Sequence, residues 1–119
     1  MTSNLETRKI GIVGTCGTGK SELVTRLRNL GYDANHIAQE HSYSPNMWQL
    51  VTNPDILIYL RVSYPETLRR KNFDFSKEEY QEQLERLHHA EKHANMVIDT
   101  DNRSPDDVFK FAISELLKT

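Results

Sequence analysis

The chain has 119 residues, a formal net charge of −2 and one cysteine. This length suits a single domain, 1–119, without a separate substrate domain, and the charge argues against general nucleic-acid binding. No apolar run could span a bilayer, the start does not resemble a signal peptide, and one cysteine forms no internal disulfide, so we expect a cytoplasmic protein without membrane contact.

The first predicted element is an apolar strand, 9–13, which leads through a glycine-rich loop into an amphipathic helix, 22–30. Residues 14–21 fit the pattern G-x-x-x-x-G-K-[ST] of a phosphate-binding P-loop, also called Walker A. Backbone N–H groups and the positive end of the helix hold phosphates in such a loop. The sequence therefore predicts that a nucleoside triphosphate contacts Gly14, Thr15, Cys16, Gly17, Thr18, Gly19, Lys20 and Ser21.

Three side chains of this loop have separate predictions. Lys20 is expected between the β- and γ-phosphates, and the Ser21 hydroxyl is expected to be a ligand of Mg²⁺. Cys16 lies near a helix N-terminus, which favours a thiolate, so its oxidation would block the nucleotide. The alternative for Cys16 is a small residue tolerated at a variable position of the motif.

The rest of the chain alternates between strands and helices. A short second strand, 32–40, precedes a brief helix that opens at Ser44-Pro45, and the third strand, 55–62, is apolar on nearly every residue. Capping boxes are predicted to start two more helices, and a fourth strand, 96–99, precedes the last helix. This alternation predicts an α/β fold with about four parallel strands in the order 2-1-3-4 and helices on both faces. The residues expected to face inward from the helices are Leu23, Val24, Leu27, Leu30, Met47, Trp48, Leu50, Val51, Tyr80, Leu84, Leu87, Val108, Phe109, Ala112, Ile113, Leu116 and Leu117.

Besides the P-loop, three segments resemble the P-loop kinases of nucleosides, nucleotides and small metabolites. Residues 53–60 look like the strand that begins with Pro-Asp in thymidylate kinases, and 65–71 is similar to the helix that carries lid arginines there. Residues 97–105 resemble the last strand and helix of such kinases. The resemblance implies a P-loop three-layer sandwich with a reduced sheet, a lid-like segment at about 64–94, and an ATP-dependent, magnesium-dependent kinase (transferase) activity.

The resemblance also implies roles for basic and polar residues outside the P-loop. Arg69, Arg70 and Lys71 are placed to contact phosphate, although a solvated helix end explains them equally well. In the loop 100–103, Arg103 is expected to stack on adenine and Asn102 to bond its edge. No Asn-Lys-x-Asp element follows a strand, as a GTPase would need, so ATP is the expected nucleotide.

One strand of these kinases has no counterpart here, so the acidic partner of Mg²⁺ must come from elsewhere. Glu40, expected at the end of the second strand, is the candidate, because a crossover brings that strand beside the first. The run 38–43 is similar to the acidic segment of nicotinamide riboside kinase-like ATPases. Glu40 would hold the metal through water or act as a base toward a hydroxyl. The alternative is an exposed acid that ends a strand.

Several interpretations stay open from the sequence. Arg61 would meet a phosphate or an acceptor carboxylate, or pair with a nearby acid. His89 and His93 have the i, i+4 spacing of a metal pair, but a solvated helix face is the simpler interpretation. Trp48 and Met47 would line an acceptor pocket or belong to the core.

The main functional hypothesis is phosphoryl transfer from Mg-ATP to an unknown small-molecule acceptor. Its rivals are a regulatory nucleotide-binding module with slow ATP hydrolysis and a nucleotide binder without catalysis. Two copies of so small a chain could complete each other's acceptor pocket, which would make a homodimer.

Overall fold

The computed structural model describes residues 8–70 and 74–118, which form four strands, four α-helices and two short helical segments of other types. The strands are β1 (Lys9–Gly14), β2 (Asp33–His36), β3 (Ile56–Arg61) and β4 (Met96–Asp99). The α-helices are α1 (Lys20–Asn29), α2 (Tyr64–Arg70), α3 (Lys77–His93) and α4 (Pro105–Leu116). A 3-10 helix spans Gln39–His41 and a π-helix spans Trp48–Thr52.

The four strands form one parallel sheet in the order β2-β1-β3-β4. This confirms the α/β class, the number of strands and their order. In the central pair, Ile12 of β1 lies beside Ile58 of β3, and Ile58 lies beside Met96 of β4. Because all strands run the same way, their carboxyl ends meet at one edge, which is where the P-loop begins.

The sheet carries a separate hydrophobic core on each face. Alternate residues of a strand point to opposite faces, and Ile58 belongs to one core whereas Leu57 and Tyr59 belong to the other. The first core packs under α1 and α4, and the second packs under α3 with Trp48. Both faces of the sheet are therefore covered by helices, as the apolar sequence of β3 predicts.

One of the two predicted capping boxes is complete, and a further box forms at the start of the last helix. Ser76 with Glu79 caps α3, and Ser104 with Asp107 caps α4. At the start of α2, Ser63 Oγ accepts from the N–H of Glu66 at 3.3 Å, but the Glu66 carboxylate does not return the bond. It pairs instead with two arginines of its own helix, while the Ser63 N–H donates to Asp101 at 3.0 Å. The box predicted for this helix is thus only half formed.

Four of the residues that were predicted to face inward are exposed. Leu30 and Leu117 are 55% and 66% exposed because each is the C-cap of its helix, where the next turn no longer covers the side chain. Leu50 and Val51 are 71% and 74% exposed because their segment is a π-helix, whose period differs from the α-helical spacing assumed. Trp48 of the same segment is buried as predicted.

In the ranges 8–70 and 74–118, no helix is both long enough and apolar enough to cross a membrane.

Candidate functional site

The P-loop links the end of β1 to the start of α1, and two of its glycines are required for different reasons. A Cβ on Gly14 would lie 2.6 Å from the carbonyl oxygen of Leu60, so glycine lets β1 approach β3 at this point. Gly19 is the N-cap of α1 and has φ 90, a conformation that side chains disfavour. Gly14 therefore provides space for the close approach of β3, whereas Gly19 provides a backbone conformation.

Several backbone amides of the loop remain available to a ligand. Within the part of the chain that the structure describes, the N–H groups of Gly17, Gly19 and Lys20 donate to no protein atom. The amide of Cys16 is already used, since it donates to Gln83 Oε1 at 3.0 Å. A loop with free amides at a helix N-terminus attracts anions.

The Lys20 side chain folds back over the loop and is only 7% exposed. Its ammonium donates to the carbonyl oxygens of Gly14 at 2.8 Å and Thr15 at 3.1 Å. It also pairs with Glu40 Oε2 at 2.9 Å. The structure thus brings together the two charged residues that sequence reasoning had placed in one site.

Glu40 lies in the 3-10 helix and not at the end of the second strand, as had been predicted. β2 ends at His36, because the chain turns once the N–H of Ile37 has bonded Ile12 O at 3.0 Å. The side chain of Glu40 is 3% exposed, so the alternative of an exposed acid is wrong. Its Oε1 oxygen is buried with no hydrogen-bond partner among the described residues, while Oε2 pairs with Lys20.

Gln39 fixes the position of Glu40, and sequence reasoning missed it. Its side-chain amide donates to Ser44 O at 2.8 Å and Arg86 O at 3.2 Å, and its oxygen accepts from the N–H of Trp48 at 2.8 Å. A fully buried glutamine with three backbone partners holds the 3-10 helix against α3. Gln39 is followed directly by the polar residues Glu40, His41 and Ser42, so the sequence offered no signal that it is buried.

A cavity of about 420 Å³ opens over the P-loop and is bordered by Lys20, Ser21, Glu40 and His36, among others. Burial and the nearby Lys20 ammonium lower the pKa of His36 from its usual value, so its imidazole is neutral at physiological pH. The charged residues that line the cavity are the cations Lys20 and Arg70, the buried acid Glu40 and the exposed acid Glu22, and the exposed Ser21 adds a hydroxyl.

The two lid arginines are held differently. Arg70 donates to Gly17 O at 2.9 Å and to Thr100 O at 2.6 Å, so it ties the P-loop to the loop after β4. Arg69 has a side chain that is 75% exposed and, among the described residues, pairs only with Glu66. Both arginines hold the pKa of Glu66 at about 2. Lys71, the third predicted cation, lies outside the described residues.

A second cavity, of about 330 Å³, lies on the other side of the P-loop, between α2 and the start of α4. Both arginines border it, and Arg103 borders it from the loop after β4 while its guanidinium lies 4.9 Å from the ring centroid of Phe111. Asn102 does not border it, although its φ of 60 marks a tight turn beside it. The structure thus places Arg103 at this cavity, but not Asn102.

The open interpretations of other residues are partly answered. Arg61 pairs with Glu91 at 3.0 Å, which is the local pairing considered from the sequence. Trp48 is a core residue whose indole N–H donates to His89 at 3.1 Å, and His89 stacks on His93 at 4.3 Å. These two histidines do not belong to a metal-ligand cluster within the described residues.

Comparison of the sequence with protein-family models gives no matching family, and comparison with curated proteins gives no match.

Proposed function

We propose that this protein is a P-loop kinase that binds Mg-ATP and transfers its γ-phosphoryl group to a small hydroxyl- or phosphate-bearing acceptor. The proposal includes the P-loop three-layer sandwich, because a parallel sheet carries the loop at its carboxyl edge and helices on both faces. Ligands of such sheets bind in the crevice outside the carboxyl ends of the strands.

The observation that carries the proposal is the buried pair of Lys20 and Glu40 at the mouth of the P-loop. The nitrogen and oxygen are 2.9 Å apart, and both side chains are almost fully buried. A buried ion pair contributes little net stability compared with apolar packing, so its presence in a cleft indicates a functional site. A phosphate group would offer Lys20 a new partner and release Glu40.

The residues at the cavity carry oxygen atoms that are suitable ligands for the Mg²⁺ that an ATP-dependent reaction uses. Ser21 and Glu40 border the same cavity, and Mg²⁺ prefers oxygen ligands and water. When bound, Mg²⁺ would supply positive charge against the negative charge that develops on the phosphates during transfer. Ser21 would hold it directly, and Glu40 would hold it through water.

The transfer step assigns separate roles to the side chains. An acceptor oxygen forms a bond to the γ-phosphorus while the bond from that phosphorus to the oxygen bridging the β-phosphate breaks, which leaves ADP. Glu40 takes the proton of the acceptor hydroxyl. Lys20 and the free amides of Gly17 and Gly19 stabilise the negative charge on the phosphoryl oxygens.

The second cavity would receive the adenine base. It is bordered by the guanidinium groups of Arg69, Arg70 and Arg103 and by the apolar side chain of Val108. Planar guanidinium groups bind phosphate but also stack on aromatic rings, so Arg103 beside the apolar Val108 would suit a base. Arg70, which donates to Gly17 O, would position the P-loop relative to this base pocket.

A regulatory ATPase is the second candidate, and one observation favours it. Between β2 and β3 the chain holds only the short 3-10 helix and the π-helix, with no longer helices to enclose an acceptor. In that case water would attack the γ-phosphorus slowly, and a partner protein would respond to the bound nucleotide.

Glu40→Gln tests the proposal and separates it from its rival. Purified protein is incubated with Mg-ATP and a panel of nucleosides, nucleotides and vitamin-like alcohols, and ADP and phosphate esters are followed by mass spectrometry. We expect an acceptor-dependent ester, with turnover reduced by about tenfold or more in Glu40→Gln while ATP affinity changes little. Glu85→Gln, on the exposed face of α3, is the control and should match the wild type.

Two results would count against the assignment. Unchanged turnover in Glu40→Gln removes the role of this carboxylate. Slow release of ADP and free phosphate, unaffected by any acceptor, replaces the kinase with the regulatory ATPase.

A further inference from the structure

Three side chains with metal-binding atoms lie close together beside the P-loop cavity, which two of them, Cys16 and Glu40, border. Cys16 comes from the loop, and Glu40 and His41 are neighbours in the 3-10 helix. Cys16 Sγ lies 3.8 Å from His41 Nε2, which lies 3.7 Å from Glu40 Oε2. One donor atom from each of the three lies within 4.8 Å of the others, so a single ion could contact all three.

The thiol of Cys16 is held in place by α3. Gln83 accepts from the Cys16 N–H at 3.0 Å through Oε1 and donates to Sγ at 3.2 Å through Nε2. Gln83 is 5% exposed, so its two hydrogen bonds to Cys16 belong to the packed interior. The amide of Gln83 therefore fixes the position of the Cys16 sulfur.

The carboxylate of Glu40 has a free oxygen for a ligand. Oε2 pairs with Lys20 at 2.9 Å, but Oε1 is buried and has no hydrogen-bond partner among the described residues. Leaving a buried carboxylate oxygen without a partner costs free energy, so a bound ligand would stabilise it. The Glu40 oxygen near His41 is Oε2, at 3.7 Å, so a cation bound by the cluster would compete with Lys20 for that oxygen.

We propose that Cys16, Glu40 and His41 form a binding site for Zn²⁺. One thiolate, one imidazole and one carboxylate, with the fourth position open to water, match a three-ligand tetrahedral zinc site. The sulfur and nitrogen would move only slightly closer to reach the ligand separations of a tetrahedral ion. Mg²⁺ would not occupy this three-ligand site itself, because it avoids thiolate ligands and prefers six oxygen ligands.

The zinc site would control the reaction, a consequence that rests on the proposed function. Glu40 cannot accept a proton from an acceptor or hold Mg²⁺ through water while it is a zinc ligand. Zinc binding and phosphoryl transfer therefore exclude each other, so zinc acts as an inhibitor. The protein would then be less active when free zinc rises.

Metal binding is tested on the nucleotide-free protein, independently of activity. Zn²⁺ is titrated by calorimetry, and Co²⁺ is added as a spectroscopic substitute. We expect one site per chain, a thiolate-to-cobalt charge-transfer band, and affinity losses of about tenfold or more in both Cys16→Ser and His41→Gln. His88→Gln, an exposed histidine of α3, is the matched control and should bind as the wild type does.

The outcomes separate this inference from the proposed function. Absence of a charge-transfer band, or equal zinc affinity in the wild type and Cys16→Ser, overturns the zinc site even if the protein phosphorylates an acceptor. A zinc site without any ATP turnover leaves the site standing and removes the proposed function. Where both are present, zinc should inhibit turnover in the wild type by about tenfold more than in His41→Gln, and equal inhibition overturns the regulatory role.

Discussion

The two sides of the P-loop are built to different degrees of rigidity. The side proposed to hold phosphate, here called the phosphate side and defined by Gly14, Lys20 and Glu40, is buried and held by the sheet and the 3-10 helix. The side proposed to hold the base, here called the base side and defined by Arg69, Arg70 and Arg103, lies at the surface, and of these three only Arg70 is tied to the backbone of neighbouring loops. Under the proposed function, a rigid phosphate side would suit catalysis, whereas the base side would adjust to its ligand.

The largest effect is expected from Lys20→Met, which removes the cation of the phosphate side. Glu40 would remain buried without a partner, so the free energy of unfolding should fall by about 3 kcal/mol. Loss of the ammonium should also weaken ATP binding by about a hundredfold. Urea denaturation and binding of a fluorescent ATP analogue measure the two effects.

The double variant with Glu40→Gln serves as the control for Lys20→Met. It should recover part of the lost stability without recovering ATP affinity. If the losses in the free energy of unfolding caused by Lys20→Met and by Glu40→Gln add up in the double variant, the ion pair is not the reason that Lys20 contributes to stability.

Gly14→Ala is expected to have the next largest effect, because its Cβ would lie 2.6 Å from the Leu60 carbonyl oxygen. We expect a loss of about 2 kcal/mol in the free energy of unfolding, with a displaced P-loop and weaker ATP binding. Gly31→Ala is the comparison, since Gly31 has φ 95 and open space around it. It should cost about 1 kcal/mol and leave ATP affinity unchanged. Equal ATP affinity in both variants would contradict the argument from close approach.

On the base side, Arg70→Ala and Arg69→Ala should differ from each other. Arg70 loses charged hydrogen bonds to Gly17 O and Thr100 O, which should lower the free energy of unfolding by about 1.5 kcal/mol. The Arg69 side chain is 75% exposed, so Arg69→Ala should change the free energy of unfolding by less than about 0.5 kcal/mol. Thermal unfolding without nucleotide distinguishes the two. Equal destabilisation would show that Arg70 does not join the two loops.

The smallest effect concerns acid stability on the base side. Arg69 and Arg70 lower the pKa of Glu66 from 4.5 to about 2 in the folded chain. A depressed carboxyl pKa stabilises the folded state fully above the unfolded value, and this contribution is lost as the pH falls from 4.5 toward about 2. Carboxyl chemical shifts measured by NMR should show Glu66 charged at pH 4, and a midpoint near 4.5 would contradict the pairing.

The fold was predictable because its signals are local and strong. The third strand is apolar on nearly every residue, the P-loop motif connects a strand to a helix, and serines mark the starts of α3 and α4. Errors arose where the spacing changes, as at Leu50 in the π-helix, or where a helix ends, as at Leu30 and Leu117. At those points the tertiary contacts and the ends of the helices override the periodic pattern.

By itself the sequence determined the parallel α/β sheet, the P-loop and the chemical types of the candidate site residues, because hydrophobic periodicity and motif spacing are properties of neighbouring residues. Only the tertiary structure placed Lys20 against Glu40, clamped Cys16 with Gln83, and brought His41 close to Cys16. These contacts join residues that are 20 to 67 positions apart. Such pairs depend on how β1, the 3-10 helix and α3 pack together, which no local pattern records.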